Sequence, residues 1–212
     1  DGENIINIFD LEDEPNSLIF FTEQGLIKKT PFNEYKMTKE SFLSIKLKED
    51  DKLVNVEVFD EKKQLFFATK DGMCLRCDSV DVPEQGRVSM GVKGINLSNN
   101  DKVVSATQVG DSGEIYAITS IALAKRVLVS HVPVTARYRK GVKLIDFKNK
   151  DSEFVVFVGY VKSPKLIAIV GDTNDVNPIY TEEIAIEKRE TKGKLLPDIK
   201  FFEKIANVFE LN

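Results

Sequence analysis

The apolar positions of this chain fall into short continuous runs that return at a nearly constant interval. Leu18-Ile19-Phe20-Phe21-Thr22 comes back as Leu65-Phe66-Phe67-Ala68-Thr69, as Ile115-Tyr116-Ala117-Ile118-Thr119, and as Leu166-Ile167-Ala168-Ile169-Val170. A turn and a short basic or polar strand follow each run. Gly25-Leu26-Ile27-Lys28-Lys29-Thr30 answers to Gly72-Met73-Cys74-Leu75-Arg76-Cys77 and to Ala124-Lys125-Arg126-Val127. Further on, Ser44-Ile45-Lys46-Leu47 matches Gly94-Ile95-Asn96-Leu97 and Leu144-Ile145-Asp146-Phe147. Each unit then closes with an acid-containing turn and an alternating segment, Asp51 to Val58 and Asp101 to Ala106 being two of them. Apolar and polar residues alternate there with the period of two that marks a half-buried strand. Val, Ile, Phe and Thr fill the runs, and their branched or aromatic side chains suit a pleated surface. One stretch, Ile121 to His131, could be wound as a helix, but its valines and its place in the repeat predict strand.

A repeat of roughly fifty residues with about four strands each reads as the blades of a propeller-like ring. The units run approximately over 18–60, 64–111, 114–163 and 165–212. Asn4 to Phe9 resembles the closing strand of a unit, so residues 1–15 are expected to be the tail of a preceding one. The chain ends on the same kind of strand, Lys204 to Phe209. This pattern predicts a piece of a longer array.

Charge changes the picture through its distribution. The net charge is −4 over 212 residues, which alone argues against a nucleic-acid partner. The acids gather at the N-terminus, in Asp1, Glu3, Asp10, Glu12, Asp13 and Glu14. None occurs between Glu114 and Asp146, a stretch holding Lys125, Arg126, Arg137, Arg139, Lys140 and Lys143. A polyanion meets that local field and not the average. No run approaches the roughly 18 apolar residues of a membrane span, and the first residues do not read as a signal peptide. A cytoplasmic protein without a membrane partner is expected.

Candidate chemistry is sparse. Cys74 and Cys77, the only cysteines, have a spacing seen in redox and zinc pairs, but strand residues three apart face opposite sides, so the sulfurs should diverge. His131 is the single histidine and has no nucleophile in motif context. Gly91-x-x-Gly94 is too short for a nucleotide loop; with Gly25, Gly72 and Gly141 it marks turns or close backbone approaches. The five tyrosines, Tyr35, Tyr116, Tyr138, Tyr160 and Tyr180, fall at repeat positions and are read as packing or surface residues.

The motif Phe21-Thr22-x-x-Gly25-x-x-Lys28-Lys29-Thr30, with Leu47, Asp51 and Leu53-Val54 after it, resembles the repeat of the C-terminal domain of the A subunits of bacterial type II topoisomerases, gyrase and topoisomerase IV. Gly86-Arg87-x-x-x-Gly91-Val92-Lys93-Gly94-Ile95-x-Leu97 carries the resemblance in the second unit, Lys125-Arg126 and Lys140-Gly141-Val142 in the third. The resemblance implies an all-β fold, a β-pinwheel of about four four-stranded blades with strands exchanged between neighbours. It also implies wrapping of double-stranded DNA, without sequence preference, around a basic outer rim. Its implied partners are an ATPase B subunit and the N-terminal catalytic region of the same polypeptide. ATP and Mg2+ would belong to that holoenzyme, and no cofactor or active site is expected in this segment. The Gln-Arg-Arg-Gly-Gly-Arg-Gly-like box of gyrase is not in the chain. The fourth unit has Asp175-Val176-Asn177-Pro178 where earlier units carry Lys or Arg, which predicts weaker DNA contact there.

Wrapping calls for cations at regular intervals along a curved path, each neutralising phosphate. Lys28, Lys29, Arg76, Lys125 and Arg126 are the expected rim positions. Arg87, Lys93, Arg137, Arg139, Lys140 and Lys143 form a second set in the following loops. The competing reading is a propeller-like protein-interaction module that binds no DNA, which the acidic pI of about 5.3 favours.

Overall fold

A computed structural model describes residues 5–9, 15–39, 41–147, 152–197, 199 and 204–211. The first unit contributes β1 (Ser17–Thr22), β2 (Leu26–Pro31) and β3 (Leu53–Val58). The second contributes β4 (Gln64–Thr69), β5 (Met73–Asp78), β6 (Val92–Lys93) and β7 (Val103–Val109). From the third come β8 (Glu114–Thr119), β9 (Leu123–Leu128), β10 (Val134–Thr135), β11 (Val142–Lys143) and β12 (Val155–Val161). The fourth supplies β13 (Leu166–Gly171), β14 (Val176–Tyr180), β15 (Lys194–Leu195) and β16 (Ile205–Leu211). Short 3-10 turns at Phe32–Tyr35, Val129–His131 and Thr181–Glu183 are the only helical elements among the described residues. Ile121 to His131 is thus a strand ending in such a turn.

The strands form four small sheets, ordered β3-β1-β2-β6, β7-β4-β5-β10 with β11 also on β5, β12-β8-β9-β15, and β16-β13-β14. The outermost strand is exchanged: β6 of the second unit pairs with β2 of the first, Leu26 opposite Lys93. In the same way β11 of the third unit lies on β5, and β15 of the fourth on β9. The architecture is the expected all-β pinwheel of four blades.

The apolar runs of β4 and β8 are continuous because each is covered on both faces by neighbouring blades, and the outer face of β1 is covered by Phe32, Ile45 and Val56 of its own unit; alternation there would bury polar groups. Leu65 and Phe67 of β4 pack with Ile19, Phe21 and Ile27 of the first blade. Phe66 and Ala68 face the other way, onto Ile115, Ala117 and Val127 of the third. Tyr116 and Ile118 of β8 join Ile167 and Ile169 of the fourth. The Thr that ends the first three runs is equally structural: the hydroxyls of Thr22, Thr69 and Thr119 accept the amides of Leu26, Met73 and Leu123 at 3.1, 3.2 and 3.0 Å. The acids of the closing turns do similar work, since Asp51 and Asp101 accept the amides of Gln24 and Asp71 at 2.9 and 3.0 Å.

The innermost strands β3, β7, β12 and β16 lie side by side in that order about the axis. They border a polar cavity of about 440 Å3, into which Glu57 reaches to accept hydrogen bonds from Thr107 and Gln108. Ile5 to Phe9, expected as a closing strand, forms no paired strand, and the Asn7 side-chain amide donates to the Val56 carbonyl at 2.7 Å. Residues 1–4 and 10–14 of the expected tail lie outside the described residues.

Candidate nucleic-acid interface

The second strands of the first three units carry the residues read from the sequence as rim cations: Lys28 and Lys29, Arg76, and Lys125 and Arg126. The structure corrects three of these residues. Lys28 and Lys125 are 0% exposed and Arg76 is 6% exposed, because the exchanged segment of the next unit closes over them. The Lys28 ammonium donates to the carbonyls of Ser44 and Arg87 at 2.6 and 2.5 Å and lies 4.8 Å above the Phe20 ring. The Lys125 ammonium donates to the carbonyls of Lys188, Arg189 and Thr191 at 3.1, 2.5 and 2.6 Å. Burial pulls both ammonium groups down to about 8, helped at Lys28 by the charge of Arg87 and opposed at Lys125 by Glu187. Arg76 spends its guanidinium on Gln64 Oε1 at 2.7 Å and on the carbonyls of Val129 and Val132 at 3.0 and 3.2 Å. None of the three reaches the surface where a phosphate could be met.

Lys29 and Arg126 are only partly open. Lys29 pairs with Glu84 at 3.8 Å and lies over the Phe59 ring. Arg126 pairs with Glu114 at 2.5 Å and donates to the Ile184 carbonyl at 2.7 Å. The basic second strand is thus mainly a fastening for the exchanged segment.

That segment makes an arch between its unit's second strand and the exchanged strand. Here a second repetition appears. Arg87 Nη1 donates to the Leu43 carbonyl, Arg137 Nη1 to that of Lys93, and Arg189 Nη1 to that of Lys143. Each arginine thus latches its arch onto the same place in the preceding unit. Four residues later the chain must pass against a second strand: a Cβ on Gly141 would lie 2.0 Å from the Cys74 carbonyl oxygen, and φ there is +74°. Gly91 and Gly193 meet the Ile27 and Ala124 carbonyl oxygens in the same way, at 2.5 and 2.7 Å.

Of the cations expected from the sequence, those that face solvent sit on these arches. Lys93, Arg139, Lys140 and Lys143 are exposed. Lys93 donates to the Tyr138 hydroxyl at 2.8 Å. Lys143 pairs with Asp146 at 2.7 Å, which holds its ammonium above the usual lysine range. Arg87 and Arg137 belong to the arches too, as latches more than as free charges. Sequence reasoning missed Lys188, Arg189 and Lys194, which put the fourth unit's arch in the same series. The spacing Arg189-x-x-x-Gly193-Lys194 matches Arg87-x-x-x-Gly91 and Arg137-x-x-x-Gly141 and was the available signal; comparing second strands instead drew attention to Asp175–Pro178.

Cys74, Cys77 and Tyr116 are core residues. Cys74 and Cys77 are buried in different cores, one between the second and third blades and the other between the first and second, so the sulfurs diverge as expected. Burial pushes both thiols up to about 12. The Tyr116 hydroxyl donates to Glu210 at 2.6 Å, and burial beside that carboxylate raises it. Among the described residues no group of three or more His, Cys, Asp or Glu is placed to hold a metal, and no helix is long and apolar enough to cross a membrane.

The sequence profile of the family described as the DNA gyrase C-terminal domain, a beta-propeller, matches residues 16–60, 63–109 and 113–162. The A subunit of DNA gyrase from Metamycoplasma arthritidis is 39% identical over 97 residues, covering 44% of this chain and 11% of that protein. The A subunit of DNA topoisomerase 4 from Bacillus subtilis is 38% identical over 81 residues, covering 37% of this chain and 10% of its own length. The chain therefore spans only about a tenth of the curated relatives it matches. Among solved structures, the C-terminal domain of DNA topoisomerase IV superposes with a TM-score of 0.87 at 24% identity, over 96% of this chain and 64% of the other. The DNA gyrase A C-terminal domain gives 0.82 at 19%, over 96% and 68%. At those identities the superpositions establish the fold, and the profile match over most of the chain establishes descent: the chain belongs to the DNA gyrase C-terminal beta-propeller family.

Proposed function

We propose that this chain binds and wraps double-stranded DNA, without sequence preference, as the C-terminal part of the A subunit of an ATP-dependent type II topoisomerase. Exposed Lys and Arg on successive arches, each latched at the same place on the preceding unit, carry the reading. Such a row meets phosphates at regular intervals along a curved duplex, neutralising charge and releasing counterions. Lys93, Arg139, Lys140, Lys143, Lys188 and Lys194 are the proposed contacts, with Arg87, Arg137 and Arg189 holding the arches in register. Lys29 and Arg126 stand at the margin of this row. In the complete enzyme the partners would be the ATPase B subunit and the catalytic region of the same polypeptide. There ATP and Mg2+ would be used, and the role of this chain would be to present a duplex segment with a set geometry.

The test is duplex binding by the chain with Arg139→Glu and Lys140→Glu together. Affinity should fall by a similar factor for unrelated sequences, and the slope of log affinity against log salt should become shallower by about two. A protein-interaction module would show salt-insensitive binding or none. Tight binding to one sequence alone would overturn the wrapping reading.

A further inference from the structure

The arches expose apolar side chains among their cations, which phosphate contact does not require. On the second unit's arch Val88 is 55% exposed, and on the third unit's arch Tyr138 is 41% exposed. Both follow a latching arginine, Arg87 or Arg137, and so occupy one place on successive arches. Tyr138 also has φ +62°, the left-handed region, without being Gly or Asn. A bulky residue held there carries strain of about 1 kcal/mol or more, which surrounding contacts must impose. Those contacts are present: the Tyr138 amide donates to the Gly94 carbonyl at 2.7 Å, and Arg137 latches beneath it. The Lys93 ammonium meets the hydroxyl and stands 4.5 Å from the ring centroid. The ring is therefore fixed in orientation on the open surface, with Arg139 and Lys140 next to it.

We propose that Tyr138, with Val88 at the equivalent place, is an apolar contact point for duplex DNA. The ring packs against sugars and base edges of the minor groove where the duplex bends over the arches. The proposal rests on the duplex-binding reading above and adds a contact that is not to phosphate. Where a duplex bends over the arches its inward-facing minor groove narrows, and a ring resting on the sugars at the groove's edge adds contact in that bent state without prising the groove open. Lys93, Arg139 and Lys140 would hold the flanking phosphates while the ring lies along the groove's edge. The fourth unit carries Glu190 at this place, an acid with a side chain 68% exposed, so its arch holds the backbone only.

The test uses the full chain and a short mixed-sequence duplex labelled at both ends for energy transfer. Tyr138→Gly removes the ring while suiting the left-handed backbone. It should weaken binding about tenfold and lower the bend signal, leaving the salt slope unchanged. Tyr138→Phe keeps the ring and should keep both affinity and bend. The chain contains no Trp, so Tyr138→Trp supplies a single reporter whose emission should be quenched when duplex is added. Wild-type affinity and bend in Tyr138→Gly, or unchanged emission in Tyr138→Trp at saturating duplex, would overturn the proposal while leaving phosphate binding intact. Failure of the unmutated chain to bind duplex at low salt would remove both readings.

Discussion

Lys125→Met replaces a buried ammonium by an unbranched apolar side chain of similar length, at a place where the second blade already carries Leu75. Two effects oppose each other. The carbonyls of Lys188, Arg189 and Thr191 lose their shared donor. Each belongs to a residue that is not fully buried, so water replaces part of the bond, and the loss is about 1 kcal/mol per carbonyl, about 3 in all. Against this, the buried charge is gone. The fall of its pKa from 10.5 to about 8 corresponds to roughly 3 kcal/mol, and about 2 after discounting for screening by solvent beyond the partly exposed arch residues that cover it. The net cost to global stability is then only about 1 kcal/mol. Opening of the arch also rehydrates the ammonium, so the arch loses the same net amount, and its amides should exchange about fivefold faster. Urea unfolding gives the first quantity, and hydrogen exchange at Glu187, Thr191 and Leu196, whose amides anchor the arch, gives the second. A global loss above about 4 kcal/mol with arch exchange unchanged would refute the reasoning. The ammonium would then be a core member and not a fastening.

The buried lysines also set a pH dependence. The depressed pKa values of Lys28 and Lys125 mean that between about 8 and 10.5 the unfolded state binds more protons than the folded one. Stability should therefore rise with pH there, by up to about 1.4 kcal/mol per pH unit for each lysine. Cys74 and Cys77, raised from 9.0 to about 12, act in the opposite sense above pH 9, so the comparison is wild type against Lys28→Met and Lys125→Met between pH 8 and 9, and equal slopes would contradict it. Gly141→Ala should destabilise by about 3 kcal/mol, through its left-handed φ and its collision with the Cys74 carbonyl. Gly86→Ala, with nothing within 4 Å of the added Cβ, should be close to neutral in the same melting assay.

The strands and their repetition were legible because they are written locally, in run length, β-branched content and the Thr and Gly at each turn. Face assignment was legible too, since strand alternation alone separates Cys74 from Cys77. The fate of the lysines was not. Lys125 looks like a surface cation in its own strand, and only Lys188 to Thr191, far along the sequence, bury it. Leu75 at the same place in the second blade was the hint that the position is interior. Lys93, Arg139, Lys140 and Lys143 were legible as a second set, but Lys188 and Lys194 joined them only once the arches were aligned on Arg87, Arg137 and Arg189, a comparison across loops where apolar periodicity says nothing.

The exchange of outer strands also sets the order in which the molecule can be made. As the chain emerges N-terminus first, β2 has an open edge until Val92 and Lys93 arrive, and β9 waits for Lys194 and Leu195. At synthesis rates of roughly 5–20 residues per second, each blade stands unsealed for seconds. In that interval Lys28 and Lys125 have not yet met the carbonyls of the arch to come and remain wetted, fully charged groups along the bare edge. Such charges discourage a stray strand from pairing there. The same lysines that later fasten each arch would thus guard its berth against other chains during synthesis.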